Sequence, residues 1–340
     1  MKRNEEVIVA AMDTGKRWSK CGIYDSEGEI VRLQTSTSVE SDKGQMGNIY
    51  KVRYEGKDYV VGSTDNVHLS ENSRNESKLT LEHKISTLTG LALLLDEAGY
   101  DHHGETICLG INVPVTEFKD RSTRPLYEKF YEGEHQIKVG AYDYSFEIKA
   151  VYPLYEGYGT LHRFYEKCED QQDVLIINFG SLNTTFVYFE DMDVKTNWTD
   201  SFDNGCNLLI SRIQSKVSSR YRNVNLTEKQ IQRIVDGNKI QMNRLMKIDK
   251  TIIPYIQTII EDELKVILTR IRDYQVPFDT SYIICTGGGA LLYKKPLEKE
   301  FKSKGYDFLI SDDPVFDDVE GFLEAVLDLV EDEEDEDGEE

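Results

Sequence analysis

Three short turns hold the residues best suited to chemistry. The first is Asp13-Thr14-Gly15-Lys16-Arg17-Trp18-Ser19-Lys20, directly after an apolar run. A carboxylate at a strand end can hold Mg²⁺ through water. Turn amides can face a phosphate, and a lysine entering the next strand, Lys20, can reach back to it. The second turn is Asn178-Phe179-Gly180-Ser181-Leu182-Asn183-Thr184-Thr185. Its small and hydroxylated residues, Gly180, Ser181, Asn183 and Thr184 among them, suit a phosphate cradle. The third, Thr286-Gly287-Gly288-Gly289-Ala290, joins an apolar run to a helical pattern. Three consecutive glycines are entropically costly in a fixed turn, which makes sense where a flat ligand lies against bare backbone. Each turn alone also reads as a solvated hairpin or a tight crossover. Their recurrence at equivalent strand ends favours the ligand-binding reading.

The elements that must carry these turns come in a repeated order. Val7–Met12, Lys20–Asp25 and Glu29–Thr35 read as a three-strand meander, and Lys51–Tyr54 with Tyr59–Gly62 as a hairpin. Leu81, Ile85, Leu88, Leu91, Ala92 and Leu95 recur at helical spacing, with Gly99 closing the helix. A strand at Thr106–Asn112, a hairpin around Tyr142-Asp143 leading into Phe146–Val151, and a helix near Thr160–Cys168 complete the first half. The pattern then restarts: strands at Val174–Asn178, Thr184–Phe189 and Val194–Thr199, then a helix from about Asn204 to Ser219. Thr227 with Gln230 forms a capping box, and Thr251–Tyr274 reads as one long amphipathic helix. Ser281–Thr286 is a strand, Ala290–Lys302 a helix and Phe316–Val330 the last helix. Residues 331–340, nine acids and no base, predict a disordered tail. Two similar α/β halves result, with ligands expected at strand ends facing a crevice.

Bulk properties exclude several classes. A chain of 340 residues can build two cores. The formal charge is −22, and the body stays acidic without the tail, which argues against direct binding to nucleic acid. No apolar run reaches membrane-spanning length, and the start, Met1-Lys2-Arg3-Asn4-Glu5-Glu6, reads as neither a secretory signal nor an amphipathic anchor. Cys21, Cys108, Cys168, Cys206 and Cys285 show no C-x-x-C spacing, which argues against zinc and fits a reducing, cytoplasmic setting.

Together the three turns resemble the phosphate-one, phosphate-two and adenosine motifs of the actin-like ATPase superfamily. The D-x-G-x-x-x-x-K spacing of Asp13, Gly15 and Lys20 is similar to the actin branch. Asp203-Asn204-Gly205 resembles the second connecting segment and Pro153-Leu154-Tyr155-Glu156-Gly157-Tyr158-Gly159 the first, which carries the residue that orients the attacking water. Within the superfamily, Ile107–Pro114 and the P-(x)-E-G-x-G run are similar to the ParM branch, bacterial actins that segregate plasmids.

The resemblance implies an actin-like ATPase fold of class α/β, with two duplicated domains flanking a nucleotide cleft. Domain I would span 1–160 with a smaller inserted subdomain at about 36–100, and domain II 161–330. It implies ATP or GTP with Mg²⁺, a polar filament of the chain with itself, a DNA-binding adaptor as partner, and no membrane. Asp13 and Glu156 would be catalytic. Asp13, Gly15, Lys16, Lys20, Gly180, Ser181, Asn183, Thr184, Gly205, Gly287, Gly288 and Gly289 would bind nucleotide, and Asp13 and Asn178 would face the metal.

Two positions depart from the pattern. Asn178 stands where the family has an aspartate. A gapless alignment puts Leu154 at the catalytic acid, whereas a two-residue insertion puts Glu156 there and also aligns the following glycines. A sugar or acid kinase of the same fold would need a carboxylate for the substrate hydroxyl, and none stands out. A nucleotide-binding scaffold without hydrolysis is the third reading, and Asn178 keeps it open.

Overall fold

The computed structural model describes residues 7–42, 48–63, 77–220, 226–235 and 252–338. Four sequence expectations fall at least partly outside them: the chain start, parts of the inserted subdomain, Thr251 and the last two tail residues. The chain divides into two compact units, residues 1–166 with 316–340, and residues 167–315.

In the first unit, strands β1 (Ile8–Thr14), β2 (Trp18–Tyr24), β3 (Ile30–Ser36), β4 (Val39–Ser41), β5 (Asn48–Tyr54) and β6 (Lys57–Ser63) precede helix α1 (Leu81–Glu97). Then come β7 (His103–Val113), α2 (Val115–Phe118), α3 (Arg124–Tyr131), β8 (Gly133–Val139), β9 (Tyr142–Tyr155), α4 (Tyr158–Arg163) and α5 (Tyr165–Cys168). The strands form one nine-stranded sheet in the order β3-β2-β1-β7-β9-β8-β5-β6-β4. β1 is an interior strand and buried along its whole length, as expected for a strand covered on both faces. Alternate residues serve two cores. Ile8, Ala10 and Met12 pack with Leu88 and Leu91 of α1. Val9 and Ala11 pack with Val319, Phe322, Leu323 and Val326.

Those last four residues lie on the last helix of the chain, α10 (Asp317–Gly338). The stretch 316–330, which element order assigns to the second half, therefore completes the first. Helical periodicity identifies the helix but not the sheet it covers. The helix also runs on through most of the acidic stretch expected to be disordered. Glutamate sustains a helix that is already nucleated, and the Tyr152 hydroxyl donates to Glu333 Oε2 at 3.0 Å. Val52 of β5 pairs with Val139 of β8, so β4–β6 continue the sheet of the first unit, and α1 packs chiefly on β2 and β3.

The second unit contains β10 (Asp173–Phe179), β11 (Thr184–Glu190), β12 (Asp193–Val194), β13 (Asp200–Phe202), α6 (Cys206–Arg220), α7 (Glu228–Val235), α8 (Ile252–Asp273), β14 (Tyr282–Thr286), α9 (Ala290–Lys304) and β15 (Phe308–Ile310). The strand order is β12-β11-β10-β14-β15, with β13 also pairing β11. The strand expected at Val194–Thr199 is interrupted by a 3-10 turn at Thr196–Trp198, where Trp198 packs edge-on against Tyr188 at 5.0 Å. Phe179, Phe186, Leu209, Ile260, Leu264 and Phe301 are central to this core.

The duplication is visible in register. β1 pairs antiparallel with β2 and parallel with β7, and β10 pairs antiparallel with β11 and parallel with β14. Asp13 faces Lys20 in one hairpin and Asn178 faces Thr185 in the other, each one pair in from the turn.

Candidate functional site

In the first unit, Asp13 ends β1 as a buried carboxylate. It forms an ion pair with Lys20, and Asn112 Nδ2 donates to its Oδ1 at 2.5 Å. The same Asn112 accepts from the Thr14 amide through Oδ1 at 2.9 Å, so one side chain from β7 fixes both backbone and carboxylate. Burial pushes the Lys20 ammonium pKa down. Its charge attraction and hydrogen bond to Asp13, with the charges of Asp318 and Glu156, outweigh that and hold it above the usual value. Lys20 therefore stays charged.

Glu156 follows the last residue of β9, and its amide donates to Val113 O at 3.2 Å. Its carboxylate pairs with Lys78 Nζ at 3.1 Å. Leu154, the other candidate for the catalytic acid, is buried in the apolar cluster under α10. The turn after Glu156 is tied to α10 by Asp318. This carboxylate accepts from Thr160 N at 2.9 Å, Thr160 Oγ1 at 2.6 Å and Gly157 N at 3.2 Å. Gly159 and Gly321 allow the close approach, since a Cβ on either would run into the backbone of the other helix. Burial and the charge of Asp13 raise the Asp318 carboxyl to about 6, against the hydrogen bonds from Thr160 and Gly157.

The turn glycines divide by role. The Gly15 amide is spent inside its own turn, on Asp13 O and Trp18 O, both at 3.0 Å. A Cβ on Gly15 would sit 2.8 Å from Trp18 O, and one on Gly180 2.8 Å from Asn183 O, so the two hairpins need glycine for the same reason. Lys16 has no hydrogen-bond or ionic partner among the described residues, which leaves its ammonium available to an anion.

In the second unit the expected contacts are mostly engaged with one another. Gly205, Cys206 and Asn207 donate their amides to Leu182 O, Gly180 O and Ser181 O at 3.0, 3.0 and 2.9 Å. A Cβ on Gly205 would collide with the Ser181-Leu182 backbone. Gly205 thus builds the second turn, and its amide is not directed at a ligand. Asn183 Nδ2 donates to Ser201 Oγ at 2.6 Å, and Thr184 Oγ1 donates to Asn204 O at 2.8 Å. The Ser181 hydroxyl has no partner among the described residues.

In the third turn, Gly287 has φ +80° and donates to Pro314 O at 2.8 Å, while Gly289 donates to Phe179 O at 2.9 Å. A Cβ on Gly287 would meet Asn178 Oδ1, and one on Gly289 would meet Cys206 Sγ. Gly288 differs. It is exposed, and a Cβ there would come no closer than 3.7 Å to Val315. Packing therefore does not demand glycine at 288.

Sequence reasoning missed Asn112, Lys78, Thr160 and Asp318. Asn112 lies in the Ile107–Pro114 run and Thr160 and Asp318 in predicted helices, but nothing in those patterns marks the side chains, and Lys78 lies in no motif. Among the described residues no group of three or more His, Cys, Asp or Glu is placed to hold a metal directly. Asp13 suits a hydrated Mg²⁺ better, since one carboxylate beside retained waters is a common way to bind that ion. No helix among the described residues is long and apolar enough to cross a membrane.

This is an actin-like fold, a mixed α/β chain with two sheets and a repeated hairpin-plus-parallel-strand unit. Residues 11–159 match the family model for the N-terminal domain of actin-like proteins. Similar solved structures are the Alp12 filament, at 22% identity and TM-score 0.70 over 95% of this chain and 99% of that one, and Bacillus thuringiensis ParM with ATP, at 14% identity and TM-score 0.70 over 94% and 98%. The AlfA filament from a B. subtilis plasmid is similar at 18% identity and TM-score 0.61 over 93% and 98%. No curated protein matches the chain.

Proposed function

We propose that the chain is a nucleoside triphosphatase of the ParM kind. It binds ATP, or GTP, with Mg²⁺, assembles head to tail into filaments, and moves plasmid DNA in the cytoplasm through a DNA-binding adaptor. The observation that carries this reading is the polar group of the first unit. β1, β7 and β9 run parallel, so the Asp13–Lys20 pair and Glu156, which follows β9, lie at the same ends of the sheet, and Asp318 on α10 holds the turn after Glu156. The similar structures include two filaments and a ParM with ATP, which supports the reading.

Asp13 would hold Mg²⁺ through water, and the metal would neutralise phosphate charge. Lys16 and Lys20 would attract the phosphates. Ser181 would donate to a phosphate oxygen, and Gly288 would lie beneath the base. Asn178, at the position equivalent to Asp13, would offer a neutral amide. Glu156 accepts a hydrogen bond from the attacking water and aligns it. The water oxygen bonds to the γ-phosphorus, the bond from that phosphorus to the β–γ bridging oxygen breaks, the nucleoside diphosphate leaves with that oxygen, and both water protons end on inorganic phosphate. Little covalent work falls to the protein in such a transfer.

The test is light scattering with phosphate release, repeated with a panel of sugars. Polymer with phosphate supports the reading. Sugar-stimulated diphosphate production would assign a kinase, and polymer without phosphate a scaffold. A positioned base is worth about 10²–10⁴-fold. Glu156→Ala should therefore still bind nucleotide and polymerise, with phosphate release at least about tenfold slower.

A further inference from the structure

Lys78 belongs to no motif, yet its side chain is only 5% exposed. A buried ammonium is costly unless paired, and its one ionic partner among the described residues is Glu156, at 3.1 Å. The backbone around it is fixed as well. The Lys78 amide donates to the Tyr127 hydroxyl at 3.3 Å, and that hydroxyl donates to Glu117 Oε2 at 2.7 Å. Tyr127 is fully buried on α3. Two residues after Lys78, Thr80 caps α1 through its hydroxyl, which accepts from the His83 amide at 3.3 Å. His83 adds no competing positive charge, because burial and then the Lys78 ammonium push its imidazole down to about 4.

Lys78 is thus held by two helices and aims its charge at the carboxylate that follows β9. Asp318, fixed on α10, holds the next residue, Gly157, through its amide. The Glu156 side chain and its backbone are anchored from different elements.

We infer that Lys78 is a positioning residue for hydrolysis: its ammonium fixes the Glu156 carboxylate in the orientation that aligns the attacking water. The inference rests on the proposed triphosphatase reading. Lys78 touches neither water nor phosphate in this role and acts through Glu156 alone.

A kinetic cycle on the full chain with ATP and Mg²⁺ tests it. Lys78→Met should lower kcat about tenfold or more, the lower part of the range for a positioned base, and leave KM within about twofold. Lys78→Arg, which keeps the charge and reach, should restore kcat to within about threefold of the parent. In a Glu156→Ala background, Lys78→Met should change kcat by less than about twofold, since residues acting as one unit are not additive. Circular dichroism checks that each variant folds. Should Lys78→Met not fold, Lys78→Gln takes its place in the same cycle.

Parent-like kcat in Lys78→Met beside slow Glu156→Ala would overturn the inference and leave the proposed function standing. A further large loss in the Glu156→Ala background would also overturn it, because Lys78 would then act elsewhere. Parent-like hydrolysis by Glu156→Ala removes the role of Glu156 and this inference together. A parent that releases no phosphate removes the triphosphatase reading itself.

Discussion

Asp318→Asn removes one charge at almost constant volume, at a site where the carboxyl is held at about 6 by burial and by the charge of Asp13. An unfolded aspartate titrates at about 3.9. The folded value is the higher one, so folding favours the protonated form. The resulting stabilisation is absent well above pH 6, grows as pH falls through 6, and is complete below the unfolded value. For these two values, linkage gives a gain on the order of 1.4 kcal/mol between about pH 7.5 and about pH 5. The asparagine variant lacks this gain. It also turns one oxygen into an amide, so the Gly157 amide loses its acceptor. That loss costs about 1–3 kcal/mol at every pH and shifts the curve without changing its slope.

Titrating groups remote from Asp318 act in both proteins and cancel in the difference. Urea unfolding of nucleotide-free protein at both pH values provides the measurement. Trp18 reports on the first unit once Trp198, in the second, is replaced by phenylalanine. The parent should gain on the variant by roughly 1.4 kcal/mol as pH falls. Parallel pH dependences would refute the raised carboxyl.

Further outcomes follow from the turns and the tail. Asp13→Ala should abolish Mg²⁺-dependent turnover, and Asn178→Asp should tighten the Mg²⁺ dependence; Mg²⁺ titrations unchanged in both would count against the assignment. Gly288→Ala should melt with the parent, given the 3.7 Å clearance, yet weaken nucleotide binding about tenfold, roughly 1.4 kcal/mol. Gly287→Ala, at φ +80° and against Asn178, should cost about 1–3 kcal/mol in thermal melts. Truncation after Val330 removes acidic charge that the C-terminal end of α10 disfavours, along with the Tyr152 bond to Glu333. Nucleotide affinity, read by titration, should stay unchanged.

The meander, its repetition and the three glycine-bearing turns were legible because short apolar runs and turn residues carry local information. What closes around them was not. Asn112 reaches Asp13 across 99 residues of chain, Lys78 reaches Glu156 across 78, and Asp318 reaches Gly157 across 161. No local pattern announces such pairs. The periodicity of α10 shows an apolar face but cannot say which sheet receives it. The glycines illustrate a second gap. Gly205, Gly287, Gly288 and Gly289 look alike in sequence, yet three of them are demanded by neighbouring chain and Gly288 is not. Composition cannot separate those cases; the surroundings of each glycine do.

The return of α10 to the first unit also bears on how the chain is made. Residues 167–315 form a compact unit of their own, and all of them leave the ribosome before α10 does. The first unit has by then lacked one of its two covering layers throughout, so Val9, Ala11, Cys108, Tyr152 and Leu154 face the solvent or a chaperone. Domains generally mature from the N-terminus during synthesis. In this chain the second unit should reach protease resistance first, with the first unit following only when Phe322, Leu323 and Val326 emerge. Nascent chains stalled just short of α10 would carry a finished second unit beside an exposed, aggregation-prone sheet face.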